Sequence, residues 1–393
     1  MQGRFKKIVA GVLGLLILAV IGVRVIAPLM LESSLNRQIF FPDQKVADAT
    51  RMLHTDMLIM DWHTDTLLWN RNLLDQAERG HADVPRLQSA GFDLMMFTTV
   101  TKSPRGQNIG KNTGDSDNIT PLVMVQGWPM RTWNSLLERA LYQAEKLDHA
   151  VMDSGGSLAW VRNKSELTSH LEARQNSAAP HSVGALLGSE GAHPLEGKLE
   201  NIDLMFEAGY RMMGITHFFD NELAGSLHGV SKAGLTDFGR AAIARFDELE
   251  MIIDLAHVSE AAAYEILALS SRAPVVSHTG LKGHCDTARN FSDDLMKAIA
   301  AKGGLIAVGF WQEAICTPTP TGIAAAIDYG IKLVGEDHIV IGSDWDGSTE
   351  SITAPDFPLI TQALQKLGYS EASIRKVMGQ NSVQFLQRWL PNG

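Results

Sequence analysis

Histidine and acidic residues stand directly after several apolar runs of this sequence. His63 and Asp65 follow the first run, and Glu190, His257 and His278 follow later ones. In an extended strand, residues two positions apart share one face, so His63 and Asp65 are expected side by side. Imidazoles and carboxylates without thiolates favour zinc, with manganese and cobalt as alternatives, because these cations accept mixed nitrogen and oxygen ligands. The motifs therefore predict a metal site.

The number of candidate ligands indicates two metal ions, because one ion does not need them all. Glycines beside Glu190 let the backbone approach closely, and we expect its carboxylate to bridge the ions. Two ions that share a carboxylate and a bridging hydroxide polarise a carbonyl group and supply a nucleophile at neutral pH. Taken singly, each residue has an ordinary structural explanation. Their shared position after apolar runs favours a metal-dependent hydrolase.

Three further residues fit the remaining steps of a hydrolysis. Asp344 is placed to take a proton from the bridging water and pass it to the leaving amine, with Asp346 as a weaker alternative. His217 is expected to hold the carbonyl oxygen as charge develops on it. Arg289 offers a planar fork for a substrate carboxylate. The predicted catalytic residues are Glu190, His217 and Asp344, and a structural hydrogen bond or ion pair is the alternative role of His217 and Arg289.

Eight apolar, β-branched segments must position these residues. They alternate with segments of helical periodicity, several of which open with a Ser, Thr or Asp cap. Repeated strand–helix units predict a parallel sheet, and eight units predict an α/β fold closed into a (β/α)8 TIM-type barrel, whose active site lies at the carboxyl ends of the strands. The predicted strands are 57–62, 92–100, 183–189, 211–216, 251–256, 273–277, 304–310 and 338–343, and the predicted helices include 133–153, 158–174, 236–249, 259–269, 292–302 and 322–334.

An open, doubly wound sheet is the alternative fold. It is less consistent with the sequence, because no glycine-rich phosphate loop follows the first predicted strand. The long interval 101–182, between the second and third strands, is expected to form a lid or a wall of the site. Trp311 and Phe310, at the end of the seventh strand, are candidates for the pocket wall, although barrel packing explains them equally well.

Composition argues against several classes of protein. The formal net charge is −10, the isoelectric point is near 5.7 and no basic run is present, so a nucleic-acid partner is not expected. Cys285 and Cys316 are too few for a thiolate zinc site or a disulfide scaffold, and their pairing is left open.

The N-terminus has the charge pattern of an exported protein. Arg4, Lys6 and Lys7 precede an apolar run, and we expect residues 1–30 to form an uncleaved transmembrane helix, with a cleaved signal segment as the alternative. Residues 31–50 would then be a connector, and 51–393 one hydrolase domain. The positive-inside rule predicts a single-pass inner-membrane protein whose domain faces the periplasm or the outside.

The motifs resemble those of the membrane dipeptidase family, also called renal dipeptidases, over roughly residues 50 to 390. The similar segments, in the order of the family, are Asp61–Asp65, Glu190–Gly191, Thr216–His217 with Asn221, Asp254–Ser259, Ser277–His278, Arg289–Asn290 with Asp293–Asp294, and Gly342–Gly347. Trp62 stands where the family has a small residue, and strand alternation predicts that its ring packs against helices, away from the metals.

The resemblance implies a role for each candidate residue. His63 and Asp65 would bind one zinc ion, His257 and His278 the other, and Glu190 would bridge them. His217, Arg289 and Asp344 match the carbonyl-contacting, carboxylate-binding and proton-transfer positions. The family hydrolyses dipeptides, often with a D-residue at the C-terminal position, and some members open β-lactam rings. Its members often form dimers, so a homodimer is one expected assembly.

Two other functions remain open on sequence alone. One is a different metal-dependent amide or lactam hydrolase, acting on a dedicated biosynthetic intermediate through the same barrel. The other is a non-catalytic scaffold that keeps the barrel. The apparent completeness of the ligand set favours an enzyme whose partner is a dipeptide or a similar small molecule.

Overall fold

Eight parallel strands close into a barrel in the computed structural model, which describes residues 2–175 and 181–392. Each strand pairs with the next one along the chain, and Ile341 of the last strand pairs with Asp61 of the first. The predicted (β/α)8 barrel is confirmed. The strands are Met60–Thr64 (β1), Leu94–Thr99 (β2), Val183–Ser189 (β3), Tyr210–Gly214 (β4), Ile252–Asp254 (β5), Val275–Thr279 (β6), Leu305–Val308 (β7) and Ile339–Ile341 (β8).

Helices follow the strands and cover the outside of the barrel. Predicted caps begin three of them, because the side chains of Thr236, Ser259 and Ser292 each accept a hydrogen bond from the backbone N–H three residues later. The helices after β1 are Val84–Ser89, Ile119–Val125, Leu136–Asp153, Lys164–Gln175, Glu200–Glu207, Asp237–Glu248, Glu260–Leu269, Asp293–Ala301, Gln312–Ile315, Pro320–Val334, Phe357–Lys366, Glu371–Arg375 and Asn381–Trp389.

The segment 158–174 differs from the single helix that its sequence predicts. It begins as a short strand, Leu158–Trp160, and becomes helical only at Lys164. The strand pairs with the first residues of β3, where Leu158 lies beside Val183. That edge is free because β4 pairs with β3 only from Leu187 onward. Pairing with an open sheet edge overrides the local helical pattern.

The N-terminal helix runs from Gln2 to Leu35 and so extends into the expected connector 31–50. Arg37–Gln38 then pairs as a short strand with Glu350–Ser351, and a second helix, Asp48–Asp56, leads into the barrel. Among the helices of the described residues, none combines the length and the apolar character needed to cross a membrane. The transmembrane part of the predicted architecture is therefore without structural support.

An apolar cluster lies beneath the carboxyl ends of the strands. It joins Met60, Ile252 and Val275 to Phe385 of the last helix. Asp254 and Ser277 stand two residues beyond Ile252 and Val275, so the cluster and the polar strand ends share one face. Trp62 belongs to the same cluster, lies edge-on to Phe385 at 5.7 Å and donates a hydrogen bond to Ser382. Its ring packs against the last helix, as predicted, but it does so within the cluster beneath the strand ends and not on the opposite face of the strand.

Cys285 and Cys316 form a disulfide bond with a Cα–Cα distance of 5.6 Å. The bond joins the segment after β6 to the segment after β7. Asn290 reinforces this connection, because its side-chain N–H groups donate to the carbonyl oxygens of Cys285 and Ala314. Arg289 is therefore carried on a segment that is fixed on both sides.

Candidate metal centre

The five predicted metal ligands come together at the carboxyl ends of four strands. His63 lies in β1 and Asp65 directly after it, Glu190 follows β3, His257 follows β5, and His278 lies in β6. All five side chains are buried. The reason is the barrel itself, because parallel strands bring their carboxyl ends to one edge whatever their separation in sequence.

Glu190 lies at the centre of the cluster. Its Oε1 atom is 3.0 Å from Nε2 of His257, 3.3 Å from Nε2 of His278 and 3.7 Å from Nε2 of His63. Nε2 of His63 is also 3.5 Å from Oδ1 of Asp65. Ligands around a tetrahedral ion with bonds of about 2 Å are spaced by roughly 3.3 Å, so these separations suit divalent cations.

Two overlapping groups of donor atoms could each hold one ion, and Glu190 belongs to both. Their members, within 4.8 Å of one another, are His63, Glu190, His278 and Asp344 in one group, and Glu190, His217 and His257 in the other. The shared carboxylate agrees with the predicted bridging role. The grouping differs from the predicted pairs of ligands in two ways. His278 lies with His63 and not with His257, and each group includes a residue that was not predicted as a ligand, Asp344 in one and His217 in the other.

Two buried atoms that could bind a metal indicate that cations fit between the five predicted ligands. Within the described residues, Nε2 of His63 and Oδ2 of Asp65 are buried without a hydrogen-bond partner. Burial alone lowers the pKa of His63, but Asp65, Glu190 and Asp344 raise it to about 10. A divalent cation would take the position of that proton between the imidazole and the carboxylates.

The remaining imidazole ligands are suited to bind as neutral groups. Burial, followed by the charge of Arg289, lowers the pKa of His257 well below its ordinary value. Burial and the neighbouring His63 do the same for His278. Metal ligation requires an unprotonated ring nitrogen, which both residues offer at neutral pH.

Ser277 positions two of the histidines, a role that was not predicted from the sequence. Its hydroxyl group donates to Oδ2 of Asp254 at 2.7 Å and lies 3.0 Å from Nδ1 of both His63 and His278. A hydroxyl group has one proton, which is used on the carboxylate, so both Nδ1–H groups must donate to Ser277. This arrangement leaves the Nε2 lone pairs of both rings free for metal ions.

Other buried polar groups also support the ligands and were not predicted. The Thr98 hydroxyl group donates to Oδ1 of Asp65 at 2.8 Å. Asp61 accepts hydrogen bonds from the backbone N–H groups of His63 and Ser343, and so ties β1 to the segment after β8. The sequence signal for Thr98 and Ser277 was their position at strand ends, in register with the ligands.

Asp344 faces the centre and Asp346 does not. Oδ1 of Asp344 lies 3.9 Å from Nε2 of His63, and burial together with the charge of Asp65 raises its pKa to about 8. Asp346 contacts Arg71 and accepts a hydrogen bond from Thr66. Burial alone would raise the pKa of Asp346, but the charge of Arg71 in particular holds this pKa well below its ordinary value. Asp346 is a structural residue, which leaves Asp344 as the candidate for proton transfer.

His217 borders the centre from β4. Its Nε2 atom is 3.4 Å from Oε2 of Glu190, and its Nδ1 atom is 3.4 Å from the carbonyl oxygen of Lys102. Burial lowers its pKa to about 4, so the ring is neutral near pH 7. A hydrogen on Nδ1 would leave Nε2 as a ligand, whereas contact with a substrate carbonyl requires the hydrogen on Nε2.

Arg289 lies next to the ligands with part of its guanidinium group unused. Nη2 donates to the carbonyl oxygen of His278 at 3.1 Å and is 3.5 Å from Nε2 of His257. Nη1 is buried without a hydrogen-bond partner in the described part of the chain. Burial lowers the pKa of Arg289 only to about 10, so it stays cationic and can receive an anion.

One cavity of about 450 Å³ is lined by Asp65, Glu190, His217, His257, Arg289 and Asp344. Part of its wall comes from the interval between β2 and β3, through Ser103, Ile119 and the segment 107–109. This confirms that the interval contributes to the site. Trp311 also lines the cavity, whereas Phe310 packs against Trp345 outside it.

Comparison with protein families agrees with the geometry. The model of the membrane dipeptidase family (peptidase family M19) matches residues 47–389. Dipeptidase verJ of Clonostachys rogersoniana is 27% identical over 212 residues, which are 52% of this chain and 55% of that protein. Dipeptidase aclJ of Aspergillus oryzae is 30% identical over 224 residues, 53% of this chain and 52% of that protein. The chain spans about half the length of these two dipeptidases.

Solved structures share the barrel at low sequence identity. The probable dipeptidase PvdM from Pseudomonas aeruginosa has a TM-score of 0.72 at 19% identity, covering 88% of this chain and 98% of that one. A metallopeptidase from Rhodobacter sphaeroides, liganded with a phosphinate mimic of the dipeptide L-Ala-D-Ala, has a TM-score of 0.67 at 21% identity. That match covers 85% of this chain and all of that one. These matches establish the fold.

Substitution Ser277→Ala should lower the affinity for metal ions by roughly 10- to 100-fold, because both histidines lose the acceptor that fixes their tautomer. Ser382→Ala is the matched control, since Ser382 is equally buried but bonds to Trp62 beneath the site. Competition with a chelator of known affinity measures the effect. Equal metal affinities of the two variants would contradict the role of Ser277.

Proposed function

Because the chain belongs to the membrane dipeptidase family, peptidase family M19, we propose that it is a zinc-dependent dipeptidase. The observation that carries the proposal is the position of Arg289 beside the ligand cluster. A free carboxylate held by Nη1 would lie within a few ångströms of Glu190 and His257, and one residue of extended chain spans about 3.5 Å. The peptide bond at the metal centre would then be the last one of the substrate.

The proposed substrates are free dipeptides, including those with a D-residue at the C-terminal position. A cavity of about 450 Å³ is in the range of small-molecule sites. The neighbour from Rhodobacter sphaeroides carries a phosphinate mimic of L-Ala-D-Ala, which supports testing that stereochemistry. Ser103 and Ile119 contribute to the wall of this cavity, which we expect to limit the length of the peptide.

In the proposed hydrolysis, Asp344, His217 and Arg289 would each have a separate role. The Glu190-centred ligands would hold two zinc ions, which would polarise the scissile carbonyl group and supply a hydroxide nucleophile. Asp344, with a pKa near 8, is suited to accept a proton on the water side and deliver it to the departing amine. His217 would contact the carbonyl oxygen through an Nε2–H group once its Nδ1 no longer donates to Lys102, and Arg289 would orient the substrate by its carboxylate.

We also propose that the domain works outside the cytoplasm and that its N-terminal segment attaches it to the membrane. The Cys285–Cys316 disulfide supports this location, because such bonds persist mainly in oxidising compartments. The basic residues Arg4, Lys6 and Lys7 before the apolar run support an orientation with the N-terminus in the cytoplasm. Protease accessibility in intact and lysed cells distinguishes this location from a cytoplasmic one.

Zinc-loaded protein should hydrolyse L,L and L,D dipeptides and release free amino acids, while a tripeptide is cleaved poorly. The measurement is turnover of a panel that also contains an N-acyl amino acid and a penem, together with metal content per chain. No dipeptide turnover, with hydrolysis of the acyl amino acid or the penem, would indicate the other amide or lactam hydrolase. Less than one ion per chain and no gain on adding zinc would indicate the non-catalytic scaffold.

Arg289→Met should weaken dipeptide hydrolysis by on the order of 100-fold in kcat/KM, because a charged hydrogen bond contributes about 1.5–3 kcal/mol. Dipeptide amides, which lack the carboxylate, should be hydrolysed equally slowly by both forms of the protein. Steady-state kinetics on matched acid and amide substrates provide the test. An equal loss on the two substrates would show that Arg289 acts on the ligands and not on the carboxylate.

Asp344→Asn should reduce kcat by roughly 10²- to 10⁴-fold and leave zinc content unchanged, since it removes only the proton carrier. Asp237→Asn is the comparison, because the Asp237 side chain is fully exposed and pairs with Arg240, away from the cavity. Loss of one zinc ion from the Asp344 variant would instead assign Asp344 as a metal ligand. Retained turnover would remove its proposed role.

A further inference from the structure

We infer that residues 32–38, where the N-terminal helix ends, hold the loop that carries Asp344 and act as a positioning element for the metal centre. The loop comprises residues 343–349. Residues 32–38 are called the clamp below. The inference deepens the proposed function and rests on it for the role of Asp344. Contact between the clamp and the loop does not depend on that role, because hydrogen bonds join the two segments.

The clamp begins with a buried carboxylate. Glu32 is 1% exposed, although Leu31 and Ser33 on either side of it are exposed. Oε1 of Glu32 accepts a hydrogen bond from Nε of Arg71 at 2.6 Å, and Oε2 accepts one from Nε of Arg79 at 2.5 Å. Charged side chains are rarely buried to this degree unless they are paired. Both oxygens of Glu32 are committed to the barrel domain.

Arg71 connects Glu32 to the loop. Its guanidinium group contacts Asp346 and donates to the carbonyl oxygen of Ala82 at 2.7 Å. Burial alone lowers the pKa of Arg71, but Asp346 and Glu32 raise it above its ordinary value. The arginine therefore remains charged between two carboxylates, one on the clamp and one on the loop.

The backbone of the loop is also bound to the clamp. Oδ1 of Asn36 accepts a hydrogen bond from the backbone N–H of Ser348 at 2.8 Å. Directly after the loop, Arg37 and Gln38 pair with Glu350 and Ser351. The loop is thus held through Asp346 in its middle and Ser348 near its end.

The loop needs this support because its backbone is strained. Asp344, Asp346 and Ser348 have φ angles of 60°, 64° and 64°, in the left-handed region. Such a conformation costs roughly 1–2 kcal/mol for each residue with a side chain. Gly347 lies so close to the site that an added Cβ would collide with Oδ1 of Asp344. Without the clamp, relaxation of the loop would displace Asp344 from His63.

The test substitutes Glu32→Gln in the full-length, zinc-loaded protein. We expect kcat to fall about tenfold, with KM and zinc content unchanged, because Asp344 is displaced while Arg289 and the ligands stay in place. Glu138→Gln is the matched control, since Glu138 forms a partly exposed ion pair with Arg131 at 2.8 Å. In an Asp344→Asn background, Glu32→Gln should have no further effect on residual turnover. Additive losses would contradict an action through Asp344.

Hydrogen exchange separates this inference from the proposed function, because it needs no turnover. Glu32→Gln should accelerate amide exchange in residues 343–351 and leave the barrel strands unchanged. Asn36→Ala, which removes only the bond to Ser348, should do the same if Glu32→Gln fails to fold. Unchanged exchange in 343–351 would overturn the inference even if the protein is a dipeptidase. Faster exchange without any dipeptide turnover would overturn the proposed function and retain the clamp.

Discussion

The rest of the site depends on the burial of three carboxylates in one small space. Asp65, Glu190 and Asp344 are at most 8% exposed, and Arg289 is the permanently charged cation beside them. Burial and the charge of Asp65 raise the pKa of Glu190 well above its ordinary value. Like charges out of water repel strongly, and cations between them remove that cost. The need for cations agrees with the position of four imidazoles, which present Nε2 to Glu190: those of His63, His217, His257 and His278.

The barrel meets this constraint by placing rigid elements around the charges. Ligands come from β1, β3, β5 and β6, and the apolar cluster under them fixes the strands on which they stand. Where the chain leaves the strands, it adopts unfavourable conformations, since His257 and Asp344 both have left-handed backbones. Strain of this kind persists only where surrounding contacts outweigh it. At His257 the hydroxyl groups of Thr216 and Ser226 donate to its carbonyl oxygen, and at Asp344 the Thr349 hydroxyl group does the same.

Much of this arrangement could be predicted from the sequence, because it follows from two regularities. Strand alternation placed His63 beside Asp65, and parallel strands brought Glu190, His257 and His278 to the same edge of the barrel. The supporting residues could not be predicted in this way. Ser277 bonds to His63, 214 positions away, and Asn36 bonds to Ser348, 312 positions away. Such pairs depend on side-chain directions that local patterns do not contain.

Side-chain directions also explain why the sequence could favour Asp344 over Asp346 but could not assign them different roles. They lie two positions apart after β8, and in a regular strand both would share one face. The loop instead turns through left-handed residues, so one carboxylate faces His63 and the other faces Arg71. The pKa values then move in opposite directions, upward for Asp344 and downward for Asp346. Asp344 is thereby the proposed proton carrier, while Asp346 becomes the fixed charge through which, we infer, the N-terminal segment holds the loop.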